Sequence, residues 1–178
     1  MSITIISGPK KGGKSLWAEK LLRKQTDVIY IATGTISEED ENWNERIKLH
    51  RKRRNKEWKT IESNENLSFT IDKIHSGKTL LIDSLGGFVS SLIDHSDEVW
   101  LNIRNQFINS LNNYNGDVII VSEEVGWGLM SEYVIGNKFV DRLGLITQDI
   151  EYLAKESWLV LHGKAVNLTK IGIEIGYE

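Results

Sequence analysis

Gly8-Pro9-Lys10-Lys11-Gly12-Gly13-Lys14-Ser15 is the stretch that most constrains this chain. It fits the phosphate-loop pattern of Gly, four residues, Gly, Lys, then Ser or Thr. Before it, Ile3-Thr4-Ile5-Ile6 is a β-branched apolar run that reads as a buried parallel strand. After it, Leu16 to Leu22 has helical spacing, with Trp17, Leu21 and the next turn on one face. Gly8, Gly12 and Gly13 admit positive φ and bare backbone N–H groups that close around phosphate oxygens. The helix opening at Lys14 aims its positive end at the same anion. Pro9, Lys10 and Lys11 complete the loop. In this pattern Lys14 reaches the β and γ phosphates and Ser15 holds Mg²⁺. The competing reading is a plain glycine turn between a strand and a helix.

The rest of the chain supplies alternating strands and helices. Val28 to Thr33 is a second strand closed by Gly34. It completes a right-handed strand–helix–strand unit, and Ala32, Thr33 and Gly34 stand at its carboxyl end, where α/β sheets bind ligands. Glu38 to about Lys56 reads as a polar helix with a thin face of Trp43, Ile47 and His50. Its end, Lys48 to Lys56, carries six Lys or Arg in nine residues. A solvated helix end or a nucleic-acid patch explains such a run. A triphosphate site elsewhere in an otherwise acidic chain gives it a different anion to meet.

Trp58 to Glu62 reads as a short strand or extended piece, and Glu65 to Ile74 as a polar helix. Thr79 to Asp83 is a clear strand. Asp83 at its end suits Mg²⁺ in a phosphate-loop protein; alternatively it caps the helix that follows. Helical spacing recurs over Phe88–Ile93, Val99–Leu111 and Glu132 to about Ala154. Asp117–Ser122 and Ser157–His162 are strands, and Ala165–Leu168 pairs with the latter across a turn at Gly163 of undetermined type. The expectation is one α/β domain over residues 1–178, its sheet mostly parallel with an antiparallel edge.

Composition removes several classes. There is no cysteine, so no disulfide, thiolate metal site or cysteine nucleophile, which fits a cytoplasmic protein. Net charge is −3, against bulk nucleic-acid binding. No apolar run has membrane-spanning length, and no leader precedes the first strand.

Several motifs, in order, make the chain similar to the bifunctional adenosylcobinamide kinase / adenosylcobinamide-phosphate guanylyltransferases of cobalamin biosynthesis. They are the phosphate loop, Tyr30 to Gly34, Arg46-Ile47 followed by His50, Trp58 to Glu62, and Leu81-Ile82-Asp83-Ser84-Leu85. Further on stand Val121 to Gly128, then Phe139, Asp141, Gly144, Gln148 and Trp158 to Val160. The chain departs from the family at Glu123, where Asn is usual, and at Ser131, Val140 and Thr147.

The resemblance implies a RecA-like phosphate-loop fold with helices on both faces, assembled as a homotrimer. It implies γ-phosphoryl transfer from ATP or GTP to the aminopropanol hydroxyl of adenosylcobinamide. GMP transfer from GTP then proceeds through a guanylyl-histidine at His50. The matching nucleotide contacts are the phosphate loop, Ala32 to Gly34, Arg51, Lys52, Arg53, Arg54, Glu62 and Asp83, with Mg²⁺ on Ser15 and Asp83. A neutral imidazole is a usable nucleophile, and the four cations can offset charge on the leaving pyrophosphate. Two other readings keep the phosphate loop: a kinase of another small hydroxyl compound with His50 unused, and a nucleotide-binding regulator without turnover.

Overall fold

The structure is a computed structural model that describes residues 2–34, 45, 47–48, 51–75, 77–128 and 131–176. Strand β1 (Ser2–Ser7) leads through the phosphate loop into α1 (Lys14–Leu21), and β2 (Val28–Ala32) follows. Then come β3 (Lys59–Glu62), α2 (Leu67–Asp72), β4 (Thr79–Asp83), α3 (Leu85–Ser91) and α4 (Asp97–Asn113). The chain continues with β5 (Asp117–Val121), α5 (Val134–Leu153), β6 (Glu156–Leu161), β7 (Lys164–Asn167) and α6 (Leu168–Ile171).

The seven strands form one sheet in the order β3-β2-β4-β5-β1-β6-β7. Every pairing is parallel except β6 with β7 at the edge, so the expected architecture is met. The β-branched runs explain why: strands covered on both faces need apolar side chains in both directions. Ile3, Ile5, Ile29, Ile31, Leu80, Ile82, Val118 and Ile120 pack on one face with residues of α2 to α5. Ile6, Val28, Tyr30, Leu81, Ile119, Val121 and Val160 face the other side, with Ala18 and Leu22 beside α1 and Trp58. Each such side chain, fully buried, contributes about 1.5–3 kcal/mol of transfer free energy.

Two local expectations need correction, and a third left open is now settled. On α1 the buried positions are Lys14, Ala18 and Glu19 with Leu22 just beyond, while Leu21 is exposed. The sheet approaches that side of the helix, and Trp17 instead stacks obliquely on Trp158 at 5.0 Å. The helical residues of the basic segment end at Arg53, not Lys56, because Asn55 turns the chain. There the Trp58 N–H donates to the Asn55 carbonyl at 3.2 Å and the Glu57 N–H to its side-chain oxygen at 3.1 Å. The turn between β6 and β7 is resolved as His162-Gly163, with φ of 52° and 74°. Positive φ at both central residues is the type I′ pattern of a two-residue hairpin.

Candidate active site

Parallel register brings the candidate residues to one level. Glu62 pairs with Ala32, Ala32 with Asp83, Asp83 with Val121, and Val121 with Ile6. The carboxyl ends of five strands therefore form a single row, and the phosphate loop rises from one end of it.

The loop is set by backbone contacts. Gly8 and Gly13 take φ of 146° and 107°, but the third left-handed residue is Lys11, at 62°, and not Gly12. Gly12 is required for closeness instead: a Cβ there would stand 2.7 Å from the Val160 carbonyl oxygen and 3.0 Å from that of Pro9. A Cβ on Gly8 would run into the same Val160 oxygen. The Gly12 N–H donates to the Pro9 carbonyl, and the Gly163 N–H of the hairpin turn donates to the Gly12 carbonyl, both at 3.0 Å. Lys14 is buried, 7% exposed, and its ammonium donates to the Pro9 carbonyl at 3.0 Å.

A cleft of about 690 Å³ opens above this row. It is lined by Lys10, Lys14 and Ser15 from the loop and α1, and by Ala32, Thr33 and Gly34. Ile47, Arg51 and Arg54 line it from the basic segment, and Glu62 and Asp83 from the strand ends. Lys52 and Arg53 do not line it. Arg53 turns to α1, where its guanidinium donates twice to the Glu19 carboxylate at 2.7 and 2.8 Å. Arg51 pairs with Glu62, and Arg54 lies over the Tyr30 ring, 3.3 Å from its centroid. His50 lies outside the described residues.

Asp83 does not cap α3. Its carboxylate accepts the Tyr30 hydroxyl at 2.5 Å. The start of α3 is held from just beyond β5: the Gly86 N–H donates to Glu123 Oε2 at 2.9 Å and the Ser84 hydroxyl to Oε1 at 2.5 Å. Burial, and then the Asp83 charge beside it, push the Tyr30 phenol well above its ordinary range, so it stays a proton donor. Thr33 fixes the next turn, accepting from the Ser84 N–H at 2.8 Å.

Sequence reasoning had met Tyr30, Ser84, Glu123, Glu124 and Phe139 within family motifs without giving them a place in the site, and all five line the cleft. A phenol in the buried run Val28-Ile29-Tyr30-Ile31 was a usable signal, since its hydroxyl needs a partner. Two consecutive acids directly after a buried strand were another. Ser15 and Asp83 offer hard oxygen donors on the same cleft, the ligand type Mg²⁺ prefers. A cationic and glycine-rich wall facing carboxylates suits a metal-bound polyphosphate.

Comparison with known proteins agrees with this chemistry. A family model described as cobinamide kinase / cobinamide phosphate guanyltransferase matches residues 4–168. The bifunctional adenosylcobalamin biosynthesis protein CobU of Escherichia coli strain K12 is 28% identical, over 92% of this chain and 98% of that protein. The bifunctional adenosylcobalamin biosynthesis protein CobP of Pseudomonas aeruginosa is 32% identical, over 82% of this chain and 85% of its own length. Among solved structures, a protein from Pyrococcus horikoshii OT3 superposes with a TM-score of 0.56 at 5% identity. That match covers 94% of this chain and 85% of the other, a likeness of fold alone.

Proposed function

The chain belongs to the cobinamide kinase / cobinamide phosphate guanyltransferase family, and from that premise we propose that the cleft above the strand ends serves two successive transfers. It is a bifunctional enzyme of adenosylcobalamin biosynthesis on the RecA-like phosphate-loop fold, acting on adenosylcobinamide and nucleotide. In the first transfer the glycine loop and Lys14 hold the β and γ phosphates of ATP or GTP while the aminopropanol hydroxyl attacks the γ phosphorus. Ser15 and Asp83 would hold Mg²⁺, which would supply positive charge to the phosphoryl oxygens. Tyr30 orients the Asp83 carboxylate through its hydroxyl.

In the second transfer the His50 imidazole attacks the α phosphorus of GTP and expels pyrophosphate. The new phosphate of adenosylcobinamide then takes GMP from the histidine, giving adenosylcobinamide-GDP. Arg51 and Arg54 stabilise the pyrophosphate charge from the cleft wall. Lys52 and Arg53 belong to the same cationic stretch, with Arg53 anchoring it to α1. A cytoplasmic homotrimer is part of this reading. Among the described residues no helix is long and apolar enough to cross a membrane.

The observation that carries the reading is the meeting, in one cleft, of a phosphate loop with Arg51 and Arg54, the residues that follow position 50 in sequence. Incubation with α-labelled GTP and Mg²⁺ tests it. Label that is acid-labile, base-stable and absent from His50→Ala supports the histidine step. Intact γ-transfer to adenosylcobinamide without label on the protein removes that step and leaves the kinase. Nucleotide binding with neither transfer overturns both.

A further inference from the structure

Four carboxylates line the phosphate cleft: Glu62, Asp83, Glu123 and Glu124. Three are committed to the protein. Glu62 is paired with Arg51, Asp83 accepts from Tyr30, and Glu123 accepts from both Ser84 and the Gly86 N–H. Glu124 is placed differently. Its main chain is pinned to the phosphate loop, its N–H donating to the Gly8 carbonyl at 2.9 Å. Its carboxyl lies by the Ser7 hydroxyl and in the field of Lys14, and among the described residues no ion pair like that of Glu62 ties it down. It therefore stands beside the phosphate-holding lysine with most of its acceptor capacity open to the cleft. Burial pushes its proton affinity above the ordinary carboxylate range.

We propose that Glu124 is the general base of the phosphoryl-transfer half-reaction and takes no part in guanylyl transfer. The inference rests on the kinase reading above. In the step, the accepting hydroxyl gives its proton to a Glu124 carboxylate oxygen as its own oxygen bonds to the γ phosphorus. The bond from that phosphorus to the β–γ bridging oxygen breaks, and nucleoside diphosphate leaves with the electron pair. A base that holds its proton more firmly than an exposed carboxylate suits this work near neutral pH. The guanylyl step has no such need. Its acceptor is a phosphate monoester, whose second ionisation lies at about pH 6, so the attacking oxygen is already anionic. The other charged side chains lining the cleft are Lys10 and Lys14 of the loop and α1, Arg51 and Arg54 of the basic segment, Glu62 of β3, Asp83 of β4 and the neighbouring Glu123. Protonation of the Glu124 carboxylate gives the rate profile of γ-transfer an acidic limb.

Glu124→Gln tests this, since the amide keeps the shape and an oxygen for Ser7. The variant is assayed for γ-phosphoryl transfer to adenosylcobinamide and, separately, for GMP transfer to supplied adenosylcobinamide phosphate. The expected result is a fall of about 10²-fold in kcat of the first with KM unchanged, and an unchanged second. The acidic limb of the wild-type kcat profile disappears, and Glu124→Asp recovers part of the rate. Equal loss of both activities, loss confined to KM, or an unimpaired kinase overturns the proposal. A wild-type chain without γ-transfer is a different failure: it removes the kinase reading itself and this inference with it.

Discussion

On one side of the cleft the glycine loop is positioned by main chain. The Gly12 N–H, the Gly163 N–H and the Val160 carbonyl define where it lies. On the other side Arg51 and Arg54, with Arg53 between them turned away to α1, are positioned by side chains: a carboxylate of β3, the face of Tyr30 and, for Arg53, a carboxylate of α1. The two arrangements fail differently. Main-chain packing admits no added atom but is indifferent to salt. Ion pairs admit substitution but weaken as ionic strength rises. Glycines matter at the loop for what they lack, and the arginines matter for what they carry.

The sharpest way to break this comparison is at Lys14, the residue of the loop that acts through its charge. Lys14→Ala should lower γ-phosphoryl transfer by about 10²–10³-fold, measured with γ-labelled nucleotide. A smaller loss would place the phosphate-holding charge on the arginine side. Next comes Gly12→Ala, which forces a methyl against Val160 and Pro9. About 2 kcal/mol of stability should be lost, read from the urea midpoint and unchanged by added salt.

The arginine side predicts smaller effects that salt does change. A double-mutant cycle on Arg53 and Glu19 should return about 1 kcal/mol of coupling, since Glu19 is 10% exposed and Arg53 38%. Arg51→Ala should cost at most about 0.5 kcal/mol of stability, because Arg51 and Glu62 are 47% and 61% exposed. Its larger consequence should be a weaker, more salt-sensitive affinity for GTP. If either arginine variant is as damaging to stability as Gly12→Ala, the contrast between the two sides is lost.

The subtlest effect is a pH slope. Folding raises the Glu124 carboxyl above its ordinary value of 4.5, so the unfolded chain holds fewer protons just above that pH. Stability from this group is then present at lower pH and declines as pH rises through the folded value. Glu124→Gln should flatten that decline in urea titrations taken across the acidic range.

How much of this could be read from the chain follows the range of the interactions. Thr79–Asp83 was legible to the residue as β4, since an apolar β-branched run ending in Asp is a local pattern. The loop, the strand ends at Ala32 and Asp83, and the edge hairpin were legible for the same reason. The Tyr30–Asp83 hydrogen bond was not, because its partners are 53 residues apart and only the β2–β4 register joins them. Nor was the placing of positive φ on Lys11, with Gly12 instead pressed against the Val160 carbonyl of the neighbouring strand, far away in sequence. Glu123 looked like a departure from the family's Asn. In the fold it holds the start of α3, the task Asp83 had been offered for, with its two oxygens on Ser84 and Gly86.

The Val160 carbonyl beneath Gly8 and Gly12 also sets an order of assembly. The nucleotide cradle begins at residue 8, yet its floor is residue 160, so an emerging polypeptide carries the motif long before it carries the seat. Any fragment that stops short of β6 holds the full signature from Gly8 to Ser15 and still lacks the surface against which that signature folds.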